Sequence, residues 1–180
     1  MVGSRPSVQS RPSALNRPDA NMKSLIETLD VSVLGRLRTI EVPLARMALF
    51  VVYFWFGALK MFGTSPATPL VSALFERTIG SVGLISFPVF YEWFSFFEIV
   101  IGILFLIRGM ERPAFILVVL HLGMTSLPLV LLPHIAWQGF FAPTLEGQYI
   151  IKNIMIVALA VVVMSRAHPL GHNDRTTEAL

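Results

Sequence analysis

The stretch VFYEWFSFFEIVIGILFLI, residues 89–107, contains only two ionisable side chains besides Tyr91, namely Glu92 and Glu98. A run this long and apolar is close to the ~20 residues a helix needs to cross the hydrocarbon core of a bilayer. Three further runs share its character: LARMALFVVYFWFGALKMF at residues 44–62, and the apolar segments 113–132 and 149–165. The composition agrees. Of 180 residues, 54% are hydrophobic and 14% are charged, with a mean hydropathy of +0.69. Soluble domains carry about 25% charged residues, so a soluble globular enzyme is excluded. The expected fold is all-α: an integral membrane four-helix bundle preceded by a cytoplasmic amphipathic helix.

Residues 1–21, rich in Ser, Pro and Arg, are expected to form a disordered tail. Residues 22–42 place Leu25, Ile26, Leu29, Val33, Leu37 and Ile40 at helical spacing among charged side chains. That pattern predicts an amphipathic helix on the cytoplasmic membrane surface. Residues 43–166 form the transmembrane domain, with Pro43, Pro88 and Pro113 at helix starts, where a missing N–H costs nothing. Pro128 should kink the third span, and residues 167–180 should be a flexible tail. The connection 63–88 is too long for a turn, and its segment PLVSALFERTI predicts a short outer helix.

Basic residues set the expected orientation. Arg36, Arg38, Arg46, Arg108, Arg112 and Arg166 fall on one side of the bundle and Lys60, Arg77 and Lys152 on the other, which predicts cytoplasmic N- and C-termini. The same distribution accounts for the net charge of +3 and pI near 9.7 without nucleic acid as a partner; the lipid bilayer is the partner implied. Tyr91, Trp93, Trp137 and Tyr149 fall at the outer ends, where an interfacial aromatic belt is expected.

Ionisable groups within a span are costly and usually face the bundle interior. On the first span Arg46, Tyr53 and Lys60 recur every seven residues and share a face beside Gly57. Counting ~1.5 Å per residue puts Tyr53, Glu98 and His121 near the membrane middle. Lys60, Glu92 and Lys152 fall nearer the outside, with Asn153 next to Lys152 and Thr125 one turn beyond His121. The candidate buried polar site is therefore Tyr53, Lys60, Glu98, His121, Thr125, Lys152 and Asn153. Glu98 is either protonated or paired with Lys60 or Lys152. His121 is a hydrogen-bonded interior residue or a group exchanging protons near neutral pH. Arg46, Lys60 and Lys152 have a plainer alternative, which is to snorkel to the headgroups. Thr125 and Ser126 have one as well, bonding back to backbone carbonyls near Pro128.

Other chemistry is argued against. The chain has no cysteine, which removes disulfides, Fe–S clusters and thiolate metal sites. A bis-histidine haem needs two ligands at one depth, and His134 lies ~20 Å along the chain from His121. The tail group His168, His172 and Asp174 reads as solvated chain, so no metal site and no catalytic residue is assigned.

Taken together, GALK at residues 57–60, EIVIG at 98–102 and GQYIIKN at 147–153 resemble the successive blocks of DoxX-like membrane proteins. The resemblance covers residues 44–163. It implies a four-helix bundle in a prokaryotic cytoplasmic membrane and matches Lys60, Glu98 and Lys152 to the family's recurring polar positions. Founding members resemble small subunits of thiosulfate–quinone oxidoreductases, others are linked to oxidative-stress complexes, and distant relatives act as assembly factors. The expected function is thus a quinone-interacting or accessory subunit of a membrane redox or stress-response system, with a membrane or soluble redox protein as partner. No cofactor is established, and quinone is the candidate. The alternative is a non-enzymatic scaffold or assembly factor whose buried charges specify helix packing. A transport role ranks behind both, because the inner halves of the second and fourth spans are too apolar for a polar path.

Overall fold

The computed structural model describes residues 18–167, with side chains from Met22 onward. The expected tails largely lie outside this range, as do His168, His172 and Asp174. The chain divides into two compact units, one up to Thr39 and one from Ile40 onward. Helix α1, Pro18–Met61, contributes to both.

In the first unit the described residues are helical, and side chains 22–39 are exposed, including the apolar Leu25, Leu29 and Leu37. Thr28, Ser32 and Thr39 each donate a hydroxyl hydrogen bond to the carbonyl four residues back. The expected helix start at Pro43 is not observed, for Pro43 lies inside α1. Proline removes one i→i−4 hydrogen bond, here to the Thr39 carbonyl, and the helix tolerates that single loss.

The second unit contains the remaining elements: α2 (Thr68–Arg77), a 3-10 turn (Ile79–Val82), α3 (Phe87–Leu106), α4 (Glu111–Ser126), α5 (Pro128–Leu131) and α6 (Pro133–Ala136). A small antiparallel ladder of β1 (Trp137–Gly139) and β2 (Ala142–Pro143) follows, then α7 (Leu145–Ser165). Helix α2 occupies the connection where a short helix is expected. Pro88 sits in the first turn of α3 as the sequence predicts. Pro128 interrupts the third apolar segment between α4 and α5, and the Leu127 N–H bonds the Met124 carbonyl in a tightened i→i−3 turn. Helix α7 begins earlier than residue 149 because Thr144 caps it, its Oγ1 accepting from the Gly147 N–H at 3.1 Å.

Four helical segments are long and apolar enough to cross a membrane: Met22–Met61, Phe87–Leu106, Glu111–Leu131 and Leu145–Ser165. In their most apolar windows only 22–33% of residues are buried. Trp55, Ile116 and Ile154 thus look outward beside many other large apolar side chains. In water such a surface would drive aggregation. The inward stripes meet in one core: Leu49 and Tyr53 of α1, Ile101 and Phe105 of α3, Val118 and Leu122 of α4, and Val163 of α7.

Close backbone approach fixes two of the contacts. A Cβ on Gly57 would stand 2.8 Å from Ile99 Cγ1 and 2.9 Å from the Ser95 carbonyl oxygen. A Cβ on Gly102 would stand 2.9 Å from the Phe54 backbone nitrogen. Each helix therefore presents a glycine to the other's backbone, which brings α1 and α3 together along one seam. At the start of α7, a Cβ on Gly147 would lie 2.1 Å from the Ala136 carbonyl oxygen, which already accepts from the Thr144 N–H. Gly147→Ala is expected to unseat this end of α7 and lower the thermal midpoint in detergent. Gly123→Ala, with nothing within 4 Å of its Cβ, should leave the midpoint unchanged or raise it.

Candidate functional site

Three helices deliver one buried polar network. The α1 face that carries Gly57 also carries Tyr53 and Lys60, one turn to either side, and all three are buried. On α3, Ser95, Glu98 and Gly102 follow the same three- and four-residue spacing. On α4, Ala114, Val118 and His121 do so again. The α1–α3 seam therefore sets Lys60 opposite Glu98, and α4 sets His121 against the other side of the carboxylate.

Lys60 Nζ donates to Glu98 Oε2 at 2.5 Å. His121 Nε2 lies 2.9 Å from Glu98 Oε1, and Tyr53 Oη lies 3.4 Å from His121 Nδ1. One tautomer satisfies every contact. Neutral His121 carries its proton on Nε2 and donates it to Glu98, while Nδ1 accepts from the Tyr53 hydroxyl. Lys60, Glu98 and His121 are exposed by only 6%, 4% and 6%, so the charges are removed from any solvent and must compensate each other. With an ammonium, a carboxylate and a neutral imidazole the network has no net charge, which limits the cost of its burial.

Aromatic rings enclose it. Phe94 stacks on the His121 ring at 5.3 Å, Tyr53 meets it edge-on at 5.2 Å, and Phe97 stands at 6.1 Å. Lys60 Nζ lies 5.5 Å from the Phe94 ring centre, within reach of a cation–π interaction. Among the described residues no buried side-chain nitrogen or oxygen lacks a hydrogen-bond partner. A cleft of about 480 Å³, lined by Met61, Glu92, Trp93 and Phe96, opens near the Lys60 end of α1.

Of the seven candidate residues, four come together: Tyr53, Lys60, Glu98 and His121. Thr125 is half-buried and donates to the Leu122 carbonyl at 3.4 Å, the local alternative. Lys152 is exposed, with its Nζ 5.4 Å from the Tyr149 ring, and Asn153 is half-buried beside it on α7. Neither joins the network, because the buried stripe of α7 runs through Gly147, Ile150, Ala160 and Val163.

Several polar contacts were not legible in the sequence. Tyr91 is not an exposed belt residue, for it is buried and its hydroxyl lies 2.6 Å from Thr68 Oγ1. Ser95 is fully buried and donates to the Tyr91 carbonyl at 2.6 Å. Arg46 does not snorkel freely. It is paired with Glu111 and donates to the Phe105 carbonyl at 3.2 Å, closing the end of α3. Ser95 three positions and Tyr91 seven positions before Glu98 share its helical face, and that spacing was the available signal for both. None existed for the Arg46 pairing, which depends on how α3 and α4 are joined.

The arrangement can hold a proton and shift it along Tyr53, His121, Glu98 and Lys60 without a net change in buried charge. Among the described residues no group of three or more His, Asp or Glu is placed to bind a metal ion. Comparison with family models, with curated proteins and with solved structures finds no match for this chain.

Proposed function

We propose that this chain is a multi-pass protein of a prokaryotic inner membrane with both termini in the cytoplasm, and that it serves as a DoxX-like, quinone-interacting accessory subunit of a membrane redox or stress-response system. The observation that carries this reading is the single carboxylate of Glu98 held between an ammonium and an imidazole in a closed apolar interior. Structural packing alone does not require an imidazole with a second partner on its far side. Reduction of a quinone takes two electrons and two protons. A redox partner protein supplies both electrons, the network passes one proton, and bulk water supplies the second proton and returns the first to the network. The cleft lined by Met61, Glu92, Trp93 and Phe96 offers two aromatic walls for a planar ring, and its Met61 directly follows the buried Lys60 in the chain. Its volume lies in the ~300–1,000 Å³ range of small-molecule sites.

The test is a titration of the purified protein with a quinone analogue. Saturable binding is expected, weakened about tenfold or more by Glu98→Gln, the size of one lost charge-assisted hydrogen bond. Unaltered binding in that variant would remove the network from the site.

A second reading, the scaffold or assembly factor, is favoured by the complete pairing of every described buried polar side chain. A network with nothing left to bind is what helix pairing alone would produce. Under that reading a partner protein co-purifies, quinone analogues do not saturate, and the charge swap Lys60→Glu with Glu98→Lys keeps the partner bound.

A further inference from the structure

The cleft near the Lys60 end of α1 holds a carboxylate for which the quinone reading has no use. Glu92, Trp93 and Phe96 stand at i, i+1 and i+4 on α3, and Met61, the last residue of α1, completes the lining of about 480 Å³. All four side chains are exposed. The ring planes of Trp93 and Phe96 are perpendicular, at 89°, with centroids 6.2 Å apart. Among the described residues Glu92 has no ion-pair or hydrogen-bond partner. Lys60, next to Met61 in the chain, does not provide one, because its ammonium is turned inward onto Glu98. One cleft therefore combines a carboxylate without a described counterion, two exposed π systems and a thioether.

We propose that this cleft binds a quaternary ammonium group of the kind carried by choline, with Trp93 and Phe96 against its methyl groups and Glu92 opposite its charge. Aromatic rings attract a cation through their quadrupole, tryptophan most strongly, and quaternary ammonium groups are recognised in this way. An ammonium bearing N–H groups needs several acceptors, and Glu92 is the only side chain of the lining with an acceptor oxygen. A quaternary one needs none. Calcium takes about six to eight oxygen ligands, far more than one carboxylate supplies. The polarisable Met61 thioether suits methyl groups as well. The inference needs neither the quinone reading nor an orientation in the membrane. A quinone ring and a quaternary ammonium would exclude each other from the cleft, and each has its own titration.

The experiment is a ligand-observed NMR titration of the full chain in maltoside micelles with choline chloride, and in parallel with 3,3-dimethylbutanol, which has the shape of choline without its charge. Choline should saturate and bind about tenfold more tightly, the combined effect of an exposed cation–π contact and an exposed ion pair. Trp93→Leu and Glu92→Gln should each weaken choline about threefold or more. Trp93→Tyr, which keeps a π face, should stay within about twofold of wild type. Trp55→Leu, at a similarly exposed tryptophan outside the cleft, should do the same. Because Trp93 and Glu92 are exposed, their variants should keep the wild-type thermal midpoint, which separates a lost contact from lost folding.

Monomeric dihexanoylphosphatidylcholine separates the two sources of the group. Tighter binding than choline assigns a lipid headgroup, weaker binding assigns a free solute, and either upholds the site. Choline that does not saturate, equal affinity for its neutral isostere, or an equal loss in Trp55→Leu would overturn the proposal. So would full affinity in Trp93→Leu and Glu92→Gln. Failure of the quinone analogue to bind would leave this site standing, so the two readings fail separately.

Discussion

Lys60→Met should lower the unfolding free energy of the micelle-solubilised protein by about 3–5 kcal/mol, the range for breaking a buried ion pair by removing one partner. The apolar replacement fills much of the lysine's volume, so the loss is electrostatic. Glu98 would be left with an imidazole N–H on one oxygen and nothing on the other. Water does not reach it, and the carboxylate must take up a proton or pull its helix away from α1. The swap Lys60→Glu with Glu98→Lys should return at least half of the loss. His121 adapts by changing tautomer: Nε2 then accepts from the new ammonium, and the Nδ1 proton is donated to Tyr53 Oη. Denaturant titration of the wild type, Lys60→Glu, Glu98→Lys and the swap measures this coupling directly. Single variants as stable as wild type would mean that Lys60 and Glu98 do not meet.

The second large effect is expected at the α1–α3 seam. Gly57→Ala with Gly102→Ala places two methyl groups 2.8–2.9 Å from atoms of the facing helix. Two of the nearest atoms, the Ser95 carbonyl oxygen and the Phe54 nitrogen, are backbone and have no rotamer in which to yield. Overpacking typically costs about 1–3 kcal/mol per site. Here the helices must separate, so the Lys60–Glu98 contact is lost with the seam. The double alanine variant and Lys60→Met are therefore expected to be non-additive, with their combination costing less than the sum. Additive losses in the same titration would show that the seam and the ion pair are independent.

Much of this organisation is legible in the residues themselves. The apolar runs locate the four long helices, because a span needs length and hydropathy and little else. The seven-residue recurrence of Tyr53 and Lys60 finds the buried face of α1, since helical geometry alone fixes it. Depth arithmetic separates Lys60 from Glu98 into two levels, yet the two are in contact. A lysine side chain reaches several ångströms along the helix, and the counting places only Cα atoms. Lys152 is the reverse case. Its spacing and neighbours match a polar site, but α7 turns it outward, and one helix's sequence does not reveal which face its neighbours cover. The hydrophobic pattern is little help there, because outward-facing and core-facing residues are both apolar. Pro43 follows the same logic. A proline is compatible with a helix start and with an interior position, and only the flanking hydrogen bonds decide between them.

The most direct test of the buried network is a solid-state NMR dipolar-recoupling measurement between ¹⁵Nζ of Lys60 and ¹³Cδ of Glu98, with the protein reconstituted in bilayers. Strong dephasing, as for directly hydrogen-bonded groups, is predicted, and it should vanish in Lys60→Met. Absence of dephasing in the wild type, with the Glu98 carboxyl exchanging freely with bulk water, would contradict the account.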